Sequence, residues 1–121
     1  MTRRWTVDLV GSGPGDPELM TESAIKAVRA ADIVFYDALV SNEVLEKIPA
    51  RKRVNVGKRG GRPSPKQDEI HRRILAAARR GLRVVRLKGG DPFLFGRGGE
   101  EADFLRKHGF RVRVIPGISS G

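Results

Sequence analysis

Residues 86–101 are Arg86-Leu-Lys-Gly-Gly-Asp-Pro-Phe-Leu-Phe-Gly-Arg-Gly-Gly-Glu-Glu101, directly after Val84-Val85. The apolar run Val84–Leu87 is short enough for a buried strand. Glycine serves where the backbone turns sharply or where another group approaches closely. An ordinary turn would account for Gly89-Gly90 but not for the charged and aromatic residues set between the later glycines. Because open α/β sheets bind ligands at the carboxyl ends of their strands, the pattern predicts a ligand-binding loop.

The rest of the chain alternates short apolar runs with amphipathic stretches. This alternation predicts an α/β fold, a five-stranded and mainly parallel sheet with helices on both faces. The predicted strands are Trp5–Val10, Ile33–Tyr36, Arg53–Val56, Val84–Leu87 and Arg111–Ile115. The predicted helices begin near Thr21, around Asn42, after Ser64 and at Glu100.

Several helix ends carry local signals. Thr21 is predicted to be an N-cap, with Glu22 in the first turn. Ser64, Pro65 and Gln67 form a capping box with proline at the first helical position. Gly81 is placed to end that helix in a left-handed conformation.

The loop Gly11-Ser-Gly-Pro-Gly-Asp-Pro17 resembles a dinucleotide fingerprint only in part. The pattern G-x-G-x-x-G requires glycine at position 16, where this chain has Asp16, so the close packing that the third glycine permits is lost. Pro14 and Pro17 also remove backbone donors that a pyrophosphate needs. The loop therefore argues against an NAD or FAD site.

Two ionisable residues follow consecutive predicted strands. Asp37 comes after the second strand and Lys58 after the third. Carboxyl ends of parallel strands share one edge, so both residues are expected at the edge where ligands bind. On spacing alone, a strand-end cap for Asp37 and a solvated lysine are the better interpretations.

The chain is strongly basic, with 24 Lys and Arg against 14 Asp and Glu, a net charge of +10. Arg51 to Arg62 contains six of these cations and no acidic residue. For this segment a polyanionic ligand and a solvated surface are equally good interpretations. Aromatic residues do not interleave with the basic run, which argues against single-stranded nucleic acid.

Composition excludes other classes of site. There is no cysteine, and hence no disulfide or thiolate chemistry. His71 is predicted to be a surface residue and His108 to lie at the negative end of a helix dipole, so no metal site is expected. Neither a secretory signal nor a membrane-length apolar run is present. We expect a soluble cytoplasmic protein without a membrane partner.

Five motifs occur in a fixed order along nearly the whole chain. They are Val10-Gly-Ser-Gly-Pro-Gly-Asp-Pro17, Tyr36-Asp-Ala-Leu-Val-Ser41, Gly57-Lys-Arg59, Lys88-Gly-Gly-Asp-Pro-Phe-Leu-Phe-Gly-Arg-Gly-Gly-Glu-Glu101 and Val114-Ile-Pro-Gly-Ile-Ser-Ser120. With them the sequence resembles the tetrapyrrole (precorrin) methylases. Within this family it is most similar to the enzymes that methylate uroporphyrinogen III.

The resemblance implies a function and a domain organisation. It implies methyl transfer from S-adenosylmethionine to carbons of uroporphyrinogen III, giving precorrin-2 for sirohaem and cobalamin synthesis. It also implies that residues 1–121 are the amino-terminal domain of a longer homodimeric enzyme, whose second domain is absent from this chain. The expected partner is an acidic tetrapyrrole rather than nucleic acid, and no metal is expected.

The resemblance also assigns roles position by position. Asp37 matches the proposed proton acceptor and Lys58 the proposed proton donor. The implied cofactor-binding residues are Pro14, Gly89, Gly90, Asp91, Leu94, Ser119 and Ser120. The basic residues expected to meet the substrate's carboxylates are Arg59, Arg62 and Arg97. If this assignment holds, Gly89 must lie at the same edge as Pro14 and Asp37.

Alternatives remain open from the sequence. The enzyme could act on a later precorrin intermediate. A polyanion- or nucleic-acid-binding module would show affinity that falls steeply with salt and would not depend on Asp37. A degenerate, non-catalytic relative is disfavoured because Asp37, Lys58 and the glycine loop are all intact.

Overall fold

The computed structural model describes residues 6–37, 39–57, 67–89 and 98–117. Within these ranges the apolar runs form one sheet of five parallel strands, in the order β3-β2-β4-β1-β5. The strands are β1 Thr6–Gly11, β2 Ile33–Tyr36, β3 Arg53–Asn55, β4 Val84–Lys88 and β5 Arg111–Ile115. The helices are α1 Glu22–Ala30, α2 Asn42–Leu45, α3 Gln67–Arg79 and α4 Gly98–Lys107, with short 3₁₀ turns at Pro17–Leu19 and Ala50–Lys52.

Successive side chains of a strand point to opposite faces, and both faces of this sheet are covered by helices. On one face, α3 and α4 pack against residues that include Val7 and Val84. On the other face, α1 and α2 pack against residues that include Val10 and Leu87. The predicted α/β architecture is confirmed, and the pairing is parallel throughout.

The chain reverses direction across the sheet at the edge strand β3. From β1 to β3 it moves towards one edge with its helices on one face, and from β3 to β5 it moves back with its helices on the other. This is the arrangement that right-handed crossovers require. β4 lies between β1 and β2. The chain leaves β4 towards the face covered by α3 and α4, whereas it leaves β1 and β2 towards the face covered by α1 and α2. Such a topological switch point opens a crevice at the carboxyl ends of the strands.

Local capping confirms the predicted start of α1 and the predicted end of α3. The Thr21 hydroxyl accepts a hydrogen bond from the Ala24 N–H at 3.1 Å. The Ser41 hydroxyl does the same for the Val44 N–H at 3.2 Å, so that α2 also begins with a side-chain cap. Gly81 ends α3 with a φ of 84°, as predicted. The predicted capping box at Ser64 and Pro65 lies outside the described residues.

The prediction for His71 is wrong. Its side chain is 5% exposed, and its ring stacks on Phe104 with the centroids 4.4 Å apart. Next to Ile70 in sequence, His71 faces α4 instead of solvent, a packing that periodicity along α3 alone could not reveal. His108 does lie at the end of α4, where its Nδ1 is 2.9 Å from the Phe104 carbonyl oxygen.

Two searches of the described residues gave negative results. Among those residues no helix has both the length and the apolar character needed to span a membrane. The same part of the chain holds no group of three or more His, Cys, Asp or Glu side chains that could bind a metal ion.

The loops that follow β1, β2 and β4 meet at the carboxyl edge. The Ser12 N–H donates to the Lys88 carbonyl at 2.8 Å, and the Ser41 hydroxyl donates to the Gly15 carbonyl at 2.6 Å. A Cβ atom at Gly89 would lie 2.6 Å from the backbone oxygen of Leu39. Glycine at position 89 is therefore required by close contact between two loops.

This contact predicts different costs for two Gly→Ala substitutions. Gly109 has a φ of 87° with open space around its Cβ position, so Gly109→Ala should cost about 1–2 kcal/mol of backbone strain. Gly89→Ala meets backbone that cannot rotate away, and we expect a loss of about 3 kcal/mol, the upper part of the usual range for overpacking. Urea unfolding followed by circular dichroism measures both. A loss at Gly89 no larger than that at Gly109 would contradict the close contact.

Candidate active site at the carboxyl edge of the sheet

The loop after β1 presents main chain at this edge. Gly13 and Gly15 have φ values of 76° and 110°, a left-handed conformation that residues with a Cβ seldom adopt. Pro14 between them is exposed. Gly13 is buried and Gly15 is half-buried, and the Gly15 carbonyl accepts a hydrogen bond from the Ser41 hydroxyl. The accessible part of this turn is therefore Pro14 and the adjoining main chain of Gly15.

Asp37 follows β2 and is held at both of its carboxylate oxygens. Oδ1 accepts a hydrogen bond from the Leu39 N–H at 3.0 Å. Oδ2 lies 3.7 Å from Nη1 of Arg86 in β4. The side chain is 19% exposed, so the carboxylate is both oriented and accessible to a ligand.

An ion cluster lies beneath this edge, formed by Arg86, Lys88, Glu101 and Asp37. Nζ of Lys88 lies 3.0 Å from Oε1 of Glu101, and Nε of Arg86 lies 3.4 Å from its Oε2. The Glu101 side chain is fully buried and that of Arg86 is 5% exposed. Nη1 of Arg86 also donates to the Leu87 carbonyl at 3.3 Å.

Counted over the described residues, the cluster is electrically balanced, with two cations and two carboxylates. Buried charges are tolerated when they are paired, and removal of one partner typically costs about 3–5 kcal/mol. The cluster was not predicted from the sequence. The sequence places Arg86 within an apolar strand. A charged residue in such a strand is itself a signal of a buried ion pair, because arginine is rarely buried without a partner.

Leu39 adds an apolar group to the edge. Its side chain is 79% exposed, and its backbone is in contact with Gly89. A single exposed leucine is unremarkable by itself. Here it lies two residues from Asp37, so the edge offers an apolar surface beside a carboxylate.

The structure brings together the predicted site residues that it describes. Pro14, Asp37 and Gly89 belong to the three loops that meet at the carboxyl edge. The described chain after β3 ends at Gly57, whose N–H donates to Asn55 Oδ1 at 2.7 Å. The predicted residues outside the described ranges are Lys58, Arg59, Arg62, Gly90, Asp91, Leu94, Arg97, Ser119 and Ser120.

Comparison with known proteins identifies relatives over nearly the whole chain. The chain is 56% identical over 115 residues to the chloroplastic S-adenosyl-L-methionine-dependent uroporphyrinogen III methyltransferase of Arabidopsis thaliana, covering 94% of this chain and 31% of that protein. It is 53% identical over 113 residues to uroporphyrinogen-III C-methyltransferase of Pseudomonas aeruginosa, covering 93% and 46% of the two chains.

A solved structure agrees with the fold. The uroporphyrin-III C-methyltransferase of Thermus thermophilus, complexed with S-adenosyl homocysteine, superposes with a TM-score of 0.82 at 53% sequence identity. The match covers 94% of this chain and 48% of that one. The chain thus spans half or less of the length of these relatives.

A family model settles the classification. The model described as Tetrapyrrole (Corrin/Porphyrin) Methylases matches residues 6–121. Nearly the whole chain is therefore covered, and the chain belongs to the tetrapyrrole methylase family.

Proposed function

We propose that this chain is the amino-terminal domain of an enzyme that transfers methyl groups from S-adenosylmethionine to carbon atoms of uroporphyrinogen III. The product would be precorrin-2, which supplies sirohaem and cobalamin synthesis. The relatives with these named activities share more than half of their aligned residues with the chain. Because the chain spans half or less of their length, the proposal assigns the rest of the site to a second, carboxyl-terminal domain.

The observation that carries the proposal is the meeting of three loops at one edge. Pro14, Asp37 and Gly89 come from separate parts of the sequence, and their loops are in contact after β1, β2 and β4. This edge also contains the topological switch point at which α/β proteins bind ligands. A main-chain surface, a carboxylate and an apolar side chain are all accessible there.

The described residues fit a sulfonium cofactor better than a dinucleotide. S-adenosylmethionine carries no phosphate, so a loop with Pro14 and bare glycine backbone suits it. Pro14, Gly89, Gly90, Asp91, Leu94, Ser119 and Ser120 would hold it. When bound, it supplies an electrophilic methyl group for in-line displacement. The protein's contribution is alignment of the two substrates, worth about 7–11 kcal/mol in favourable cases.

Asp37 would accept the proton that the macrocycle loses after methylation. Its Oδ1 accepts a hydrogen bond from the Leu39 N–H. Its Oδ2 meets Nη1 of Arg86 only as an ion-pair contact at 3.7 Å, longer than a hydrogen bond, so Oδ2 would take the proton. Lys58 would act as the proton donor. A positioned acid or base of this kind typically contributes about 10²–10⁴-fold in rate.

The charge of the chain suits the proposed substrate. Uroporphyrinogen III bears several carboxylates, and the chain has a net charge of +10. Arg59, Arg62 and Arg97 would pair with these groups through charge-assisted hydrogen bonds. We further infer that the complete enzyme is a homodimer that acts in the cytoplasm, and gel filtration and cell fractionation would test these two points.

Asp37→Asn in the full-length enzyme should lower kcat by about 10²–10⁴-fold, since the amide cannot accept the proton. The amide oxygen can still accept the Leu39 N–H, so the local turn should persist. Transfer of labelled methyl groups to uroporphyrinogen III measures the rate, and calorimetry checks that cofactor binding is unchanged. Lys58→Met is the parallel test of the donor.

Asp103→Asn is the matched control, because Asp103 is an exposed carboxylate on α4. It should leave kcat unchanged. Wild-type rates in both Asp37→Asn and Lys58→Met would remove the proposed roles. A protein that binds DNA with steep salt dependence and is indifferent to Asp37 would instead support the polyanion-binding alternative.

Residues 1–121 alone should bind S-adenosylmethionine at least about tenfold more weakly than the full-length enzyme. Loss of two hydrogen bonds, each worth about 1 kcal/mol, exceeds the roughly 1.4 kcal/mol that corresponds to a tenfold change in affinity. They should also show little or no turnover. Titration calorimetry on both proteins measures the difference. Equal affinity would show that the second domain contributes nothing to the cofactor site.

A further inference from the structure

Arg86 is an unusual residue for its position. It lies in β4 between β1 and β2, on the same face as Val84, which packs with α3 and α4. Its side chain is 5% exposed. Burial of a guanidinium is costly unless carboxylates or other acceptors compensate the charge, so the partners of Arg86 explain why this residue is tolerated there.

The carboxylate partners of Arg86 come from two different elements. Glu101 of α4 approaches its Nε at 3.4 Å, and Asp37, beyond the end of β2, approaches its Nη1 at 3.7 Å. The guanidinium is a planar fork with donors in fixed directions. A single arginine thus connects a fully buried glutamate to the accessible carboxylate of the proposed active site.

Lys88 forms an ion pair with Glu101, the buried partner of Arg86. Its Nζ donates to Oε1 of Glu101 at 3.0 Å, while Oε2 faces Arg86. With both oxygens directed at cations, the glutamate cannot rotate without losing a contact. Arg86 is in turn tied to the strand by its bond to the Leu87 carbonyl.

From this geometry we infer that Arg86 is a positioning residue for Asp37. The inference rests on the proposed function, in which Oδ2 of Asp37 accepts a proton. The Leu39 N–H fixes Oδ1, and Arg86 limits rotation of the carboxylate by attracting Oδ2. Because the Arg86 side chain is only 5% exposed, we assign its contribution to the reaction to its contact with Asp37.

A purely structural role for Arg86 makes a different prediction. If Arg86 only stabilises the core, its loss should affect the enzyme in the same way whether or not Asp37 is a carboxylate. If it acts through Asp37, its loss should matter little once Asp37 has been replaced. Residues that act on one another give non-additive effects, which a double-mutant cycle detects.

The test is a cycle of Arg86→Gln and Asp37→Asn in the full-length enzyme. Arg86→Gln alone should lower kcat by about 10²-fold, the typical effect of misplacing a reacting group by about 1 Å. KM for both substrates should stay within about twofold. In the Asp37→Asn background the same change should lower kcat by less than about twofold further. Single-turnover transfer of labelled methyl groups reaches the low rates required.

Arg113→Gln is the matched control. Arg113 in β5 forms a bidentate pair with Asp8, with both N–O distances 2.9 Å, and this hydrogen bond and charge raise the pKa of Arg113. It lies in neither the ion cluster nor the three loops. Arg113→Gln should leave kcat unchanged. A fall in kcat seen only in Arg86→Gln then cannot be attributed to removing a positive charge from the sheet in general.

Arg86→Lys and Glu101→Gln cover the case in which Arg86→Gln does not fold. Arg86→Lys keeps the positive charge but loses the planar guanidinium, so its kcat should lie between those of Arg86→Gln and the wild type. Glu101→Gln keeps the shape of the glutamate side chain but removes the charge that holds Arg86. Both should be non-additive with Asp37→Asn, with thermal unfolding showing that each variant is folded.

Each outcome has a distinct meaning. Equal losses of kcat on both backgrounds, or a wild-type kcat in Arg86→Gln, would overturn the inference while leaving the role of Asp37 intact. A wild-type kcat in Asp37→Asn would overturn the proposed role of Asp37 and the inference with it.

Discussion

The fully buried carboxylate of Glu101 is the constraint on which this edge of the molecule depends. It lies between Lys88 at the end of β4 and Arg86 within β4. Because an uncompensated charge in the core is strongly unfavourable, the pairing fixes α4 against the strand that precedes the glycine loop. The ion pair from Arg86 to Asp37 then extends the same constraint to the accessible carboxylate.

Topology explains why the remaining groups gather at this edge. β4 is inserted between β1 and β2, and its helix packs on the opposite face from theirs. The loops that follow β1, β2 and β4 are distant in sequence but therefore lie beside one another. Glycines at positions 13, 15 and 89 permit turns and backbone contacts that side chains would prevent. In the described part of the chain, this edge carries the exposed Pro14, the exposed apolar side chain of Leu39 and the oriented carboxylate of Asp37. That combination suits a reaction in which alignment and proton removal are the main demands on the protein.

Much of the fold could be predicted because its signals are local. The bounds of β2 and β5, the Thr21 cap and the Gly81 stop depend on residues within one or two turns of each other. The prediction failed where the deciding neighbour is distant in sequence. His71 is buried by Phe104 of α4, and Arg86 is neutralised by Glu101 and Asp37. Neither partner could be inferred from periodicity within its own element.

The sequence by itself determined the alternation of strands and helices, the family, and the residue types that arrive at the carboxyl edge. Those properties follow from hydrophobic periodicity, capping and short motifs, all of which act over a few residues. Tertiary structure alone decided which of these residues meet. The contact of Gly89 with Leu39 and the path from Glu101 through Arg86 to Asp37 depend on strand order and helix packing. These contacts join residues that are distant in sequence, so no pattern within a single element encodes them.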